Sequence, residues 1–163
     1  MASGNFLFRL VPFGNIPPAA NFAALDFRNL HPALDFDGAT NESAVFSFTM
    51  PDHYAGTTGI SCRVGLSALG TSQDIDLDIA IERIGNDVLD VDADSFAAAV
   101  SLDAQTSSAT AGKVTVHTVA LTDGAQMDSL VAGEQGRLKI TRDAASDGSV
   151  VDMELHFIDV YET

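Results

Sequence analysis

The chain has 163 residues, which is enough for one domain with a substantial hydrophobic core, and a second domain is not expected. Its 23 acidic and 8 basic side chains give a net charge of −15, which disfavours direct DNA or RNA binding because that depends on clustered basic residues. Since 46% of the residues are hydrophobic, the acidity belongs to a folded protein and not to a disordered chain.

Other features of the composition limit the compartment and the chemistry. The single cysteine, Cys62, excludes an intramolecular disulfide framework. No apolar stretch approaches the length of about 20 residues that a membrane helix needs, so no membrane partner is expected. The first residues lack the positive charge and the unbroken apolar run of a secretory signal, which predicts synthesis in a cytoplasm.

Residues 1–33 are predicted to form an extended N-terminal arm. Five of the ten phenylalanines and four of the five prolines occur there, without helix or strand periodicity. Leaving a phenylalanine ring in water is unfavourable by about 1.5–3 kcal/mol relative to burying it. We therefore predict that Phe6, Phe8, Phe13 and Phe22 anchor the arm on another molecule. The alternative is that the arm closes an open edge of its own domain.

Residues 34–163 are predicted to form an antiparallel β-sandwich. The clearest strand alternates inward Ile75, Leu77 and Ile79 with acidic residues that face water. Strands are predicted at 44–50, 60–66, 74–82, 113–122, 137–142 and 150–161. Short helical turns at 94–99 and 128–130 are too brief to connect parallel strands. The fold class is therefore all-β. We predict six to eight strands in total, divided between two antiparallel sheets that form a jelly roll.

An acidic row along the third predicted strand is a candidate catalytic site. Asp74, Asp76, Asp78 and Glu82 share one face of this strand. Glycoside hydrolysis needs one carboxyl whose pKa is raised by burial, opposite a second at a defined distance. This row lies on the predicted wet face and has no aromatic wall, so we interpret it as a solvated surface.

A second acidic group resembles the start of a calcium loop. Asp90, Asp92 and Asp94 match the spacing of the first three ligands. The helix-loop-helix site needs glycine and glutamate where Ser95 and Ser101 stand, so that motif is absent. A looser calcium-binding loop remains an alternative.

The remaining chemically reactive side chains do not form a recognisable motif. His31, His53, His117 and His156 are scattered singly, and Cys62 lies on the apolar side of its strand, where burial raises the pKa of a thiol. No catalytic, cofactor or metal site is predicted, and we expect the protein not to be an enzyme.

A pattern in residues 119–147 resembles a known class of virion proteins. A strand ending in Leu121-Thr122 leads through a short turn to Ala132-Gly133-Glu134, and a strand closing in Arg142-Asp143 introduces an Asp-rich turn. This pattern is similar to that of jelly-roll proteins in tailed-bacteriophage virions. Weaker counterparts occur in order at 46–54, 82–83 and 92–96, so the resemblance extends over residues 35–163.

Among such proteins, the capsid decoration or cement proteins are nearest in size and style. The resemblance implies a homotrimer on the capsid exterior that holds neighbouring subunits of the major capsid protein together. We therefore expect a structural virion protein without a cofactor. The alternative is a carbohydrate-binding or receptor-binding β-sandwich on a head fibre or tail, although the chain has no tryptophan and only two tyrosines for a sugar platform.

Overall fold

A computed structural model describes residues 4–163 as two antiparallel β-sheets packed face to face. The described chain contains ten strands and two short 3-10 helices. In chain order they are β1 (Phe6–Leu10), η1 (Pro12–Gly14), β2 (Ala24–Arg28), β3 (His31–Phe36), β4 (Glu42–Thr49), β5 (Ile60–Ala68), β6 (Asp74–Ile84), β7 (Val100–Thr106), β8 (Thr115–Leu121), η2 (Ala125–Met127), β9 (Gln135–Arg142) and β10 (Met153–Glu162).

The strands divide into a six-stranded and a four-stranded sheet. Sheet A has the order β2-β3-β10-β5-β8, and β1 also pairs with β10. Sheet B has the order β4-β9-β6-β7. The predicted all-β antiparallel sandwich of the jelly-roll type is confirmed. None of the helices within residues 4–163 has the length and apolarity needed to cross a membrane.

Alternating side chains from the two sheets fill the space between them. On β6, Ile75, Leu77, Ile79 and Ile81 are fully buried, as their spacing predicts. Each such side chain stabilises the fold by about 1.5–3 kcal/mol through burial. The prediction that Glu82 faces water is wrong, because its carboxylate is buried and accepts a hydrogen bond from Arg137 on β9.

The last strand departs from the predicted alternation. A β-bulge between Leu155 and Phe157 shifts the register with β5, so Ile158 and Val160 continue the buried face. Phe157 lies instead on the outer face of sheet A, where its ring covers Gly65. A Cβ atom at Gly65 would lie 2.4 Å from that ring, so the close approach needs glycine.

The sequence did not predict β7. This strand lies at the edge of sheet B and exposes most of its side chains, so it lacks a buried alternating face. The helical turn predicted at 94–99 is absent, and that segment runs into β7 without regular structure. The turn predicted at 128–130 lies slightly earlier, as η2.

Residues 4–33 do not leave the domain as an extended arm. β1 pairs with β10, and β2 pairs with β3. Between them the chain crosses to sheet B, where the backbone N–H of Ile16 donates to the carbonyl of Val45 over 2.7 Å, and that of Ala23 to the carbonyl of Ser43 over 3.0 Å. The segment thus covers the edge of β4 that would otherwise be exposed. The alternative expectation, that the segment closes an edge of its own sandwich, describes the structure.

Candidate functional site

The four predicted anchors occupy different environments. Phe8 stacks on Phe48 with ring centroids 4.6 Å apart and packs against the core. Phe8 therefore packs within its own chain, and we do not expect it to contact a partner molecule. Phe6 is half-exposed and meets Tyr161 edge-on, with centroids 5.5 Å apart. Phe13 and Phe22 are exposed; Phe13 lies in η1, and Phe22 forms an isolated bridge with Ser43 of β4.

One group of exposed apolar side chains gathers at the end of sheet A. Phe13 is 65% exposed, Leu25 47% and Phe27 55%, and the rings of Phe13 and Phe27 lie 5.9 Å apart. Leu25 and Phe27 share a face of β2, which ends sheet A in the described chain. We call these three residues the N-terminal apolar surface. The sequence prediction included Phe13 but not the two residues that accompany it.

The turn between β2 and β3 has an unusual backbone. Its two central residues, Asn29 and Leu30, have φ angles of 48° and 67°. A left-handed conformation is unfavourable for leucine by about 1–2 kcal/mol, and the Leu30 side chain is 91% exposed. This two-residue turn places Arg28 and His31 directly opposite each other across the hairpin.

Next to this turn, a cleft of about 690 Å³ opens on the outer face of sheet A. We call it the sheet A cleft. The β2–β3 hairpin forms one wall, the loop before β8 forms the other, and β5 and β10 contribute to the floor. Its lining residues are Arg28, Asn29, His31, Pro32, Ser67, Ala111, Gly112, Lys113, Val114 and His156.

A hydrogen-bond network supports the floor of the cleft. Arg28 donates through Nη1 to Oε2 of the buried Glu154 over 2.7 Å, and the Ser67 hydroxyl donates to the same oxygen over 2.5 Å. The Nε2 atom of His156 lies 2.8 Å from the Ser67 oxygen. Because the single Ser67 proton is used for Glu154, His156 must donate from Nε2.

Burial beside this network determines which protonation state His156 favours. Burial lowers its pKa below the ordinary value, and the nearby Glu154 carboxylate opposes that effect only in part. The neutral imidazole is therefore favoured near pH 7, with Nδ1 unprotonated. The sequence placed His31 and His156 apart, whereas the pairing of β3 with β10 brings both into one cleft.

Asp35 is a carboxylate with one unsatisfied oxygen atom, and it lies beside this network. It pairs in register with Glu154, and its Oδ1 atom is buried without a hydrogen-bond partner among residues 4–163. Burial, together with the charges of Asp152, Glu154 and Asp26, raises the pKa of Asp35 to about 6. Folding thus favours the protonated form of this group, which is the major form below about pH 6.

Asp35→Asn is expected to stabilise the protein at high pH. The folded-state pKa exceeds the ordinary value of 3.8, so ionisation of Asp35 lowers stability progressively as the pH rises from about 4, and the loss is complete a little above pH 6. We expect a gain of about 1 kcal/mol at pH 8, reduced by partial solvent exposure, and no gain below pH 4. Urea unfolding of the variant and the unmodified protein between about pH 4 and pH 8 measures this difference in the free energy of unfolding. Asp92→Asn, at an exposed position, is the control, and an equal gain there would contradict the assignment.

The other candidate sites have structural roles. Asp76 accepts a hydrogen bond from the Ala104 backbone and Asp78 from the Ser101 hydroxyl, so the acidic row joins β6 to β7. Asp90 caps its own loop by accepting from the backbone of Asp92. No group of three metal-ligating side chains forms within residues 4–163.

The interpretation of Cys62 as an inert core residue is confirmed. The thiol is completely buried on β5, and burial raises its pKa to about 12. The thiolate that would act as a nucleophile is therefore strongly disfavoured near neutral pH.

Comparisons with known proteins give likenesses in structure alone. No protein family model matches the chain, and no curated protein matches it. A family 35 carbohydrate-binding module from an environmental isolate has a TM-score of 0.53 at 15% identity, over 95% of this chain and 90% of the module. A family GH115 4-O-methyl-α-glucuronidase with specificity for decorated arabinogalactans has a TM-score of 0.52 at 9% identity, over 99% of this chain and 18% of the enzyme.

A viral structure gives a weaker match. The structure of infectious bursal disease virus has a TM-score of 0.41 at 12% identity, over 96% of this chain and 31% of that chain. At these identities, the two stronger likenesses show that the chain has the jelly-roll β-sandwich fold, and they show nothing narrower than the fold.

Proposed function

We propose that the chain is a structural, non-enzymatic protein of a tailed-phage virion that assembles as a homotrimer and cements major capsid subunits from outside. The observation that carries this proposal is the N-terminal apolar surface. Within residues 4–163, the four exposed phenylalanines all lie between residues 6 and 27. Burying two such rings in an interface stabilises it by several kcal/mol, since each contributes about 1.5–3 kcal/mol.

The charge distribution supports assembly through this end of the molecule. The strands of sheet A contain three basic and five acidic side chains, whereas the rest of the chain contains five basic and eighteen acidic ones. Repulsion between like-charged surfaces is therefore smallest near sheet A. In addition, β2 ends this sheet and exposes nearly all of its side chains, which favours contact with another chain at this edge.

The test uses the full chain and isolated capsids that lack it. We expect a trimer by light scattering at micromolar concentration, saturable addition to the capsids, and a higher temperature of capsid disruption after addition. A monomer that fails to add would overturn the proposal. Deleting residues 1–32 is unsuitable here, because the deletion would remove β1 and β2 from sheet A and test folding instead.

A carbohydrate-binding sandwich on a head fibre or tail is the second candidate. The sheet A cleft favours it, because it is a concave site with several polar donors, and the first structural likeness above is to a carbohydrate-binding module. Tyr54, one of the two tyrosines, is buried and offers no exposed ring to a sugar. Glycan-array binding without capsid addition would favour this candidate over the cement protein.

A further inference from the structure

We propose that the sheet A cleft binds a small organic monocarboxylate, whose carboxylate is held by Arg28 and Lys113. Among the described residues that line the cleft none is acidic, although the chain has 23 acidic side chains. Two of its 8 basic side chains and two of its 4 histidines meet there. On a protein of net charge −15, this is a local site for an anion.

The charge of the cleft matches a monoanion. Glu154 lies directly behind Arg28 and offsets its charge through their ion pair. Lys113 is exposed, and it forms no ion pair within residues 4–163. With His156 neutral and Asp35 protonated, Arg28, Lys113 and Glu154 give the cleft a net charge of about +1, and ionisation of Asp35, whose pKa is about 6, reduces that charge at higher pH. A single carboxylate balances that charge, whereas a phosphate dianion would leave an excess negative charge beside Glu154.

Arg28 is positioned before any ligand arrives. Its Nη1 is held by Glu154, which leaves the other guanidinium N–H groups available for the two oxygens of a carboxylate. The guanidinium lies over Gly112, where a Cβ atom would be 2.9 Å from Nη2. Gly112 also has a φ of 79°, a backbone conformation that favours glycine in the loop beneath Arg28.

His156 adds a donor when it is protonated. Its Nε2–H donates to the Ser67 oxygen. A proton gained at Nδ1 therefore points away from Ser67, in the plane of the ring, and can be donated to a ligand. A bound carboxylate favours this protonation, so affinity is expected to rise as the pH falls. The charged and titratable groups around His156 that enter this balance are Glu154 on the same strand, Asp35 and His31 on β3, Arg28 on β2 and Lys113 before β8.

The cleft has room for more than a carboxylate. Its volume of about 690 Å³ accommodates the body of a small polar molecule. Asn29 and Ser67 supply polar groups, and Pro32 and Val114 supply apolar surface. A hydroxylated ring that carries one carboxylate fits this mixture, and D-glucuronate is a suitable probe.

The test is a titration of the full chain, followed by amide chemical shifts and calorimetry. We expect D-glucuronate to shift the resonances of Ser67, Gly112 and His156, and to bind at least tenfold more tightly than D-glucose or inorganic phosphate. Lys113→Met is expected to weaken glucuronate binding about tenfold, because it removes a charged donor. Lowering the pH from 7.5 to 5.5 should strengthen binding.

Lys139→Met is the matched control. Lys139 is on β9 of sheet B, where its ammonium lies 4.9 Å from the Phe96 ring centroid, so the same charge change occurs away from the cleft. This variant should bind glucuronate as the unmodified chain does. Equal weakening by both variants, equal binding of glucose and glucuronate, or tighter binding of phosphate would overturn the proposal. So would the absence of cleft shifts at 10 mM glucuronate. Addition of the protein to capsids is measured separately. A protein that adds to capsids but does not bind glucuronate would overturn the cleft proposal and leave the proposed assembly role intact.

Discussion

Replacing Arg142 by methionine is expected to lower the free energy of unfolding by about 3–5 kcal/mol. Arg142 and Asp147 form an ion pair of 2.8 Å in which both side chains are 0% exposed. The guanidinium also donates to the backbone carbonyls of Phe36, Ser149 and Val151. The substitution would leave a buried carboxylate without its cation and three carbonyls without their donor, which is the costly way to break a buried pair.

Urea unfolding of three variants tests this role. Arg142→Met combined with Asp147→Asn should recover part of the loss, because the unpaired buried charge is gone. Arg63→Met is the matched control, since Arg63 is exposed and has no ion pair among the described residues. It should change stability by less than about 1 kcal/mol. An Arg142→Met variant within 1 kcal/mol of the unmodified protein would show that the buried ion pair does not stabilise the fold.

Alternation predicts the strands that bury one face. For β4, β5, β6, β8 and β9, the predicted bounds agree with the structure to within two residues. These strands present a continuous apolar face to the other sheet, and a period of two follows directly from that burial. In β10 the same rule fails at Phe157, because one extra residue in the bulge reverses which side chains point inward.

The first thirty residues could not be assigned in this way. β1 buries Leu7 and Leu10 but exposes Phe6, and a register shift between Phe6 and Phe8 interrupts its alternation. Its partner, β10, lies about 150 residues away in the chain. Edge strands such as β2 and β7 have little buried surface, so their sequences give only a weak periodic signal.

The sheet A cleft was also beyond prediction from the sequence. Arg28, Ser67, Lys113 and His156 come from four distant parts of the chain, and they meet because β10 lies between β3 and β5. No short motif encodes that strand order. The buried carboxylate of Glu154 gives a further example, because alternation alone predicts a solvated side chain at that position.

Phe13→Ser combined with Phe27→Ser is expected to weaken trimer formation and capsid addition at least thirtyfold. Both rings are exposed in the single chain, and large aromatic side chains at the centre of an interface contribute about 2 kcal/mol or more each. The same double variant should change the free energy of unfolding of the monomer by less than about 1 kcal/mol, since it removes little buried surface. Analytical ultracentrifugation and binding to isolated capsids measure assembly, and urea unfolding measures stability.

Phe8→Ala is expected to show the opposite behaviour, with lower stability and unchanged assembly. Comparing it with the double variant separates an effect on assembly from an effect on folding. Phe8→Ala removes a ring stacked on Phe48, so it should lower stability by about 2 kcal/mol while the folded protein still assembles. Val150→Ser, at an exposed apolar residue in the loop between β9 and β10, should change neither property. If the Phe13 and Phe27 double variant loses stability and still forms trimers, the N-terminal apolar surface belongs to the fold of the single chain. If it stays stable but fails to assemble, the exposed rings act between molecules, which is the arrangement that a cementing protein needs.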